Sequence, residues 1–240
     1  MKVYSGRTIP LANSVGSPEL PRSRWRNNWL RAIKSRQMQL LVDQFEKFTA
    51  AVLQPAATPL SDAQFLALCS QYPDFRIETT AEGDILIMPP AHPRTGQRNA
   101  AITHQLFAWN ERDGRGEAFD SSAGFFLKNG ARRSPDSAWI SRERLRGVAD
   151  DAAMWFVTPE FVIELKSASD RLETLRAKMR EWTSNGVLLA WLINPETRTV
   201  EIYRADGSTE LLAACSEVTG EGQVQEFVLQ LGRIWQGIQA

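Results

Sequence analysis

Residues 161–166 read Phe-Val-Ile-Glu-Leu-Lys and place two charged residues in an apolar run of strand length. Residues two apart in a strand point to the same face, so Glu164 and Lys166 project together. A second predicted strand, residues 137–140, begins directly after Asp136. If the two strands are neighbours in one sheet, Asp136 lies beside Glu164. The sequence therefore predicts two carboxylates and one ammonium group close together.

The expected pair of carboxylates needs a compensating positive charge. Two neighbouring carboxylates repel, and one of them takes up a proton unless a cation lies close. Mg²⁺ suits a site with few protein ligands and several waters, and Mn²⁺ accepts the same hard oxygen ligands. A bound metal ion lowers the pKa of its water and stabilises charge on a phosphoryl oxygen. The pattern favours phosphodiester hydrolysis, with Asp136 and Glu164 as metal ligands and Lys166 positioning the water. Taken singly, each feature is more often an ordinary exposed pair.

The segments around these strands alternate between strand and helix patterns. Asn129-Gly130 is a hairpin-turn signal, and the continuous apolar run 187–193 is typical of a strand covered on both faces. Further strands are predicted at 75–78, 84–88, 117–120, 125–128 and 200–204, and helices at 61–70, 95–112, 170–184 and near 229–239. Interleaved strands and helices predict an α/β fold of the mixed-sheet α+β kind, in which helices flank one central mixed β-sheet.

The first 54 residues differ from the rest in pattern and charge. Residues 1–22 contain scattered Pro, Gly and Ser and are expected to form a flexible tail. Residues 23–54 carry an apolar stripe at helical spacing, which predicts a basic amphipathic helical extension before a domain at 55–240. Residues 1–50 hold nine Lys or Arg and three Asp or Glu, a net charge of +6, so the remainder of this neutral chain carries −6. The basic segment fits an anionic partner, self-association or plain solvation.

The composition excludes several classes of protein. The 240 residues are 43% hydrophobic and 23% charged, as in ordinary globular proteins. No apolar run reaches about 18 residues, so no membrane helix is expected. The N-terminus lacks the apolar core of a secretory signal, and two cysteines are too few for a disulfide scaffold. We therefore expect a cytoplasmic protein with no membrane partner and no organic cofactor.

The motifs Pro135-Asp136 and Glu164-Leu165-Lys166 resemble the signature of the PD-(D/E)xK nuclease superfamily, which has the restriction-endonuclease-like fold. From about Phe65 to Arg204 the chain more narrowly resembles the Uma-type endonuclease family, common in cyanobacteria. That narrower resemblance rests on further ordered motifs, among them residues 88–90, 120–125, 178–182 and 191–195. It implies a restriction-endonuclease-like core, metal-dependent cleavage of DNA and, because two strands need two sites, a homodimer.

The resemblance also implies roles for individual residues. Asp136 and Glu164 would bind Mg²⁺ or Mn²⁺, and a lysine would complete the catalytic set. Lys166 stands at the usual motif position, whereas many members of the family lack that lysine and use one on the following helix, which here is Lys178. Of these two, we favour Lys166.

Weaker candidates surround this set. Glu78 on a strand and Glu82 in a turn are candidates for a supporting carboxylate, although such acids are usually just solvated. Gln97 and Asn99, near the start of a helix, either touch the site or cap the helix.

A competing hypothesis keeps the fold as a catalytically silent nucleic-acid- or protein-binding module, because the acidic body does not favour phosphate binding. A third makes residues 23–53, which lie outside the resemblance, an oligomerisation helix.

Overall fold

In the computed structural model, the described residues are 38–41, 51–55, 59–73, 75–88, 90–148 and 155–236. All of them belong to one compact unit, Met38–Ala240. The strands are β1 Met38–Leu41, β2 Ala51–Pro55, β3 Arg76–Thr79, β4 Ile85–Met88, β5 Gly116–Asp120, β6 Phe125–Phe126, β7 Arg132–Arg133, β8 Ser137–Ser141, β9 Phe161–Leu165, β10 Leu189–Asn194, β11 Thr199–Arg204, β12 Thr209–Ala213, β13 Glu217–Thr219 and β14 Val228–Gln230. The helices are α1 Asp62–Gln71, α2 Pro93–Asp113, α3 Leu172–Ser184 and α4 Gly232–Gln236.

The central sheet has six strands in the order β12-β11-β10-β9-β8-β5. β9 and β10 run parallel, and the other neighbouring strands run antiparallel. The parallel pair is joined through α3, because parallel strands need a crossover connection. The predicted mixed sheet with flanking helices is therefore confirmed.

The two faces of the central sheet pack against different helices. In β10, Trp191 belongs to the core layer that includes Leu106 of α2, whereas Leu192 belongs to the layer that includes Met179 of α3. The same alternation in β9 turns Val162 toward the α3 layer. Glu164, two residues later, therefore points to the face that α3 covers.

A second sheet, antiparallel throughout, has the order β1-β2-β4-β3-β7-β6. The hairpins β3–β4 and β6–β7 both lie in it, the latter closed around the predicted turn at Asn129-Gly130. The strand predicted after that turn was 137–140, but β6 pairs instead with β7, which was not predicted. This second sheet was not predicted either, and the chain passes from it to the central sheet at residues 134–136, between β7 and β8. Asp136 thus lies where the chain passes from the second sheet to the central one.

The helix predicted for residues 23–54 is wrong wherever the structure describes that segment. β1 and β2 pair antiparallel, and β2 extends the second sheet by pairing with β4. Apolar runs of four or five residues fit both the helical and the strand period, so the sequence alone does not decide between helix and strand. Pairing with an available strand edge decides for the strand. The predicted tail at 1–22 and the other residues of 23–50 lie outside the described residues. β12 and β13 were not predicted, because their mostly exposed residues carry little apolar pattern.

No helix in the described ranges has the length and apolar character needed to cross a membrane.

Candidate active site

The junction between the two sheets brings Asp136 and Glu164 together. β8 and β9 pair antiparallel with Ser137 opposite Ile163, so the preceding Asp136 comes beside Glu164. Asp136 is 8% exposed and Glu164 3% exposed. Carboxylates this buried are costly unless donors or cations compensate them, and the surrounding side chains supply both.

Asp136 is held by donors from three directions. The backbone N–H of Leu165 donates to its Oδ2 at 2.8 Å, and Asn99 Nδ2 donates to its Oδ1 at 3.0 Å. Arg76 Nη1 lies 3.3 Å from the same Oδ1. The bond from Leu165 fixes the carboxylate to the strand that carries Glu164, which keeps the two acids in register.

Glu164 shares its contacts with α3. Its Oε1 accepts a hydrogen bond from Trp182 Nε1 at 2.9 Å and lies 2.8 Å from Lys178 Nζ. Burial raises the pKa of Glu164 above its ordinary value, and the negative charges of Asp136 and Glu78 raise it further, although Lys178 opposes them. Glu164 therefore holds a proton more readily than an ordinary glutamate.

Glu78, a supporting candidate from the sequence, lies in the same group. Its Oε1 is 3.1 Å from Lys178 Nζ and 3.2 Å from Arg76 Nη2, and its Oε2 is 3.3 Å from Arg133 Nη1. Burial alone would raise the pKa of Glu78, but the positive charges of Lys178, Arg76 and Arg133 outweigh burial and lower it. The structure does not bring Glu82 into this group; it is exposed in the turn between β3 and β4.

The two candidate lysines have different partners. Lys178 Nζ bridges Glu164 and Glu78 and also donates to the carbonyl oxygen of Ser134 at 3.3 Å. Lys166 Nζ instead lies 2.9 Å from Glu196 Oε2 and donates to its neighbour's carbonyl oxygen. The lysine that the structure places on the carboxylates is thus Lys178, not the favoured Lys166.

We call Glu78, Asp136 and Glu164, with Arg76, Arg133 and Lys178, the carboxylate cluster. The three acids lie on β3, directly before β8 and on β9, and the three cations lie on β3, β7 and α3. Arg133 also pairs with Glu181 at 2.6 Å, so four carboxylates share three cations.

Sequence reasoning missed three members of this site: Arg76, Arg133 and Trp182. Of the two alternatives that the sequence left open for Asn99, the structure shows contact with the site, because Asn99 donates to Asp136. The sequence did carry a signal for Arg76, because it lies two residues before Glu78 on a strand and therefore shares its face. Arg133 lies in the same motif as Asp136, three residues earlier. Trp182 gave no such signal, since a tryptophan on the apolar face of a helix is ordinarily core.

The residues present fit a divalent cation. Asp136 and Glu164 offer the hard oxygen ligands that Mg²⁺ and Mn²⁺ accept. Within the described ranges, no three His, Cys, Asp or Glu side chains are arranged to hold a metal ion, so such an ion would keep several waters. Asn99 Oδ1 is buried without a hydrogen-bond partner in the described structure, directly beside Asp136. An unpaired buried acceptor at this place suits a water or a hydrated ion.

Comparison with known proteins identifies the family of this chain. The profile of the Uma2 family, described as "Putative restriction endonuclease", matches residues 62–232, well over half of the chain. The chain belongs to the Uma2 family. The Uma2 match contains every residue of the carboxylate cluster, and it leaves residues 1–61 outside.

A solved structure has the same fold. It is titled as a nuclease belonging to DUF820 from Anabaena variabilis ATCC 29413, qualified there as putative, and is 17% identical with a TM-score of 0.62. The likeness covers 74% of this chain and 98% of that one. No curated protein matches the chain.

Proposed function

We propose that this Uma2-family protein is an endonuclease that hydrolyses DNA phosphodiester bonds at the carboxylate cluster with the help of a divalent metal ion. One observation carries the proposal: Lys178 Nζ lies 2.8 Å from Glu164 and 3.1 Å from Glu78, in the same cluster as Asp136. Buried acids with perturbed pKa values beside a positioned cation are typical of sites that do chemistry.

Asp136 and Glu164 would hold the metal ion, Mg²⁺ or Mn²⁺. When bound, such an ion supplies an activated water and neutralises charge that develops on a phosphoryl oxygen. The protein's own part is to keep the two carboxylates in place: Leu165 N–H anchors Asp136, and Trp182 Nε1 anchors Glu164. Asn99 Oδ1, which has no partner among the described residues, can accept a hydrogen bond from a water held beside Asp136.

Lys178 takes the cationic role in this proposal. Its Nζ has three donors, which reach Glu164, Glu78 and the carbonyl oxygen of Ser134. A fixed ammonium group next to the reacting phosphate stabilises the negative charge that builds up during hydrolysis. Lys166, which is bound to Glu196, does not reach the carboxylates in the described structure.

DNA as substrate, a homodimer as the working form and the cytoplasm as its location complete the proposal. The family's description as a restriction endonuclease supports DNA. The two cysteines are unpaired, which suits a reducing compartment. Light scattering on the full chain tests the dimer, and a monomer at working concentrations would remove it.

A calorimetric titration of Mg²⁺ and Mn²⁺ into the protein, with Glu164→Gln as control, tests the site directly. We expect binding to the wild-type protein and at least about tenfold weaker binding to the variant, because even residues that only support a metal ligand typically contribute about 10- to 100-fold to metal affinity. Equal binding to both proteins would show that the metal lies elsewhere. DNA binding without any cleavage in the presence of metal would favour the catalytically silent module.

A further inference from the structure

Helix α2 carries two arginines close to the carboxylate cluster. Arg94 and Arg98 are four residues apart and therefore neighbours on the helix surface. Asn99, the next residue, donates to Asp136. We call Arg94 and Arg98 the arginine pair; it lies on the turn of α2 that contacts the proposed metal ligand.

Within the described ranges, neither arginine of the pair forms an ion pair with a carboxylate of its own, because Glu196 pairs with Lys166. Burial and the positive charge of Arg94 lower the pKa of Arg98, and Glu196 only partly opposes them. In the described part of the chain, the buried Nε of Arg98 and the buried Oε1 of Gln97 have no hydrogen-bond partner. Buried polar atoms without partners are costly, and natural proteins keep them mainly where a ligand or water completes them.

The acid near the arginine pair is already in use. Glu196 Oε2 lies 2.9 Å from Lys166 Nζ, and the side chain of Lys166 is only 9% exposed. Because this pair is formed, the charge of Glu196 is shared between Lys166 and Arg98. The net result is two positive charges next to the proposed cleavage site, in a body whose residues beyond position 50 sum to −6.

We propose that Arg94 and Arg98 bind a backbone phosphate of the DNA next to the bond that is cut, and that Lys166 is a positioning residue that keeps Glu196 from neutralising them. This inference rests on the proposed function. A guanidinium group presents a fork of donors that matches phosphate oxygens, including the unpaired Nε of Arg98. A water bound to Gln97 Oε1 would join the hydration of that phosphate. Lys166 thereby gains a role in the binding of DNA rather than in the chemical step.

The test measures the affinity for a short fluorescein-labelled DNA duplex by anisotropy in EDTA, where no cleavage occurs. Arg98→Gln should weaken binding about tenfold, because a hydrogen bond to a charged group contributes about 1.5 to 3 kcal/mol. It should also reduce the slope of log K against log salt by about 0.9 for the lost phosphate contact. Arg112→Gln, an exposed arginine in the last turn of the same helix, is the matched control and should change neither quantity.

Glu196→Gln gives a result of opposite sign. Removal of this carboxylate should tighten binding severalfold, while Lys166→Gln frees Glu196 and should weaken it. Thermal unfolding of each variant checks that the fold is kept.

If Arg98→Gln binds DNA like Arg112→Gln, the phosphate site is overturned and the nuclease proposal still stands. Loss of affinity as expected, but no cleavage by the wild-type protein with metal, would leave the phosphate site standing and remove the nuclease. No binding of the wild-type protein to DNA at low salt would overturn both.

Discussion

The molecule holds two groups of charged side chains that look alike but differ in their surroundings. In the carboxylate cluster, the acids are nearly inaccessible and share their cations. Elsewhere, Arg176 of α3 pairs with Glu201 of β11 at 2.7 Å, and Arg204 of β11 pairs with Glu221. We call these two the outer ion pairs. Arg176 is 34% exposed and Arg204 25% exposed, so water reaches them.

The pKa values separate Glu164 from the acids of the outer ion pairs, whereas Glu78 in the carboxylate cluster has a lowered pKa like the outer acids. Burial would raise the pKa of Glu201, but hydrogen bonds from Arg176 and Tyr203 lower it, and hydrogen bonds from Arg204 lower the pKa of Glu221. In the carboxylate cluster, the pKa of Glu164 is raised instead. The arginines stabilise each outer acid in its charged form, whereas the positive side chains near Glu164 do not compensate for its burial and for the neighbouring acids. The difference teaches that carboxylates with sufficient positive side chains around them stabilise the fold, whereas carboxylates with too few can bind an added metal cation.

The largest effect should come from the two proposed metal ligands. Glu164→Gln and Asp136→Asn should each lower the rate of DNA cleavage about 1000-fold, because metal-ion stabilisation is worth several kcal/mol and each 1.36 kcal/mol is about tenfold. Gel assays of plasmid cleavage with Mg²⁺ and Mn²⁺ measure the rate, and circular dichroism checks the fold. Glu201→Gln, in the outer ion pairs, is the control and should cleave like the wild-type protein. Cleavage by Glu164→Gln at the wild-type rate would show that the carboxylate cluster is no more important for cleavage than the outer ion pairs.

The two lysines give the next effect. Lys178→Met should lower the single-turnover rate at saturating DNA about 100-fold, the loss found when one stabilising donor is removed from a transition state. Lys166→Met should keep that rate, since its Nζ contacts Glu196 and not the carboxylates. Saturating DNA removes any contribution from weaker binding. The reverse order of effects would return the catalytic role to Lys166.

Much of this arrangement could be predicted from local sequence. The alternation in residues 161–166 and the strand start at Asp136 indicated where both acids lie on their strands, because the strand period is a local property. The turn at Asn129-Gly130 was likewise marked by its local sequence.

What sequence could not supply was the choice among distant partners. Lys166 and Lys178 fit the pattern equally well, and only the packing of α3 on β9 brings Lys178 to Glu164. The backbone of residues 38–41 and 51–55 was misjudged for a similar reason, since its pairing with β4 is a long-range contact. Arg76 shares a strand with Glu78, which the sequence shows, but its contact with Asp136 depends on the approach of the two sheets, which no local pattern records.

The pH dependence of stability should have opposite signs for Glu164 and Glu201. A raised pKa means that folded Glu164 keeps its proton longer than the unfolded chain, so its contribution to stability falls as pH rises through 4.5 toward the raised value. A lowered pKa means that Glu201 stabilises the fold above 4.5 and that this contribution is lost as pH falls through the lowered value. Denaturant unfolding in EDTA should show Glu164→Gln gaining on the wild-type protein as pH rises above 4.5. Glu201→Gln should be less stable than the wild-type protein above pH 4.5 by a constant amount, and that deficit should shrink as pH falls below 4.5. Parallel pH profiles for both variants would contradict the distinction.

The smallest effect should come from an outer cation. Arg176→Gln should lower the free energy of unfolding by about 0.2 to 1 kcal/mol, the range for ion pairs that water screens.

Arg133→Gln is the matched change in the carboxylate cluster, where the side chain is only 9% exposed and pairs with Glu78 and Glu181. Loss of one partner from a buried pair costs about 3 to 5 kcal/mol, because the remaining carboxylates stay buried without that charge. Added Mn²⁺ should restore part of this loss in Arg133→Gln and none in Arg176→Gln, since only the first variant leaves carboxylates beside the proposed metal site. Equal losses without metal rescue would mean that both regions are structural ion pairs.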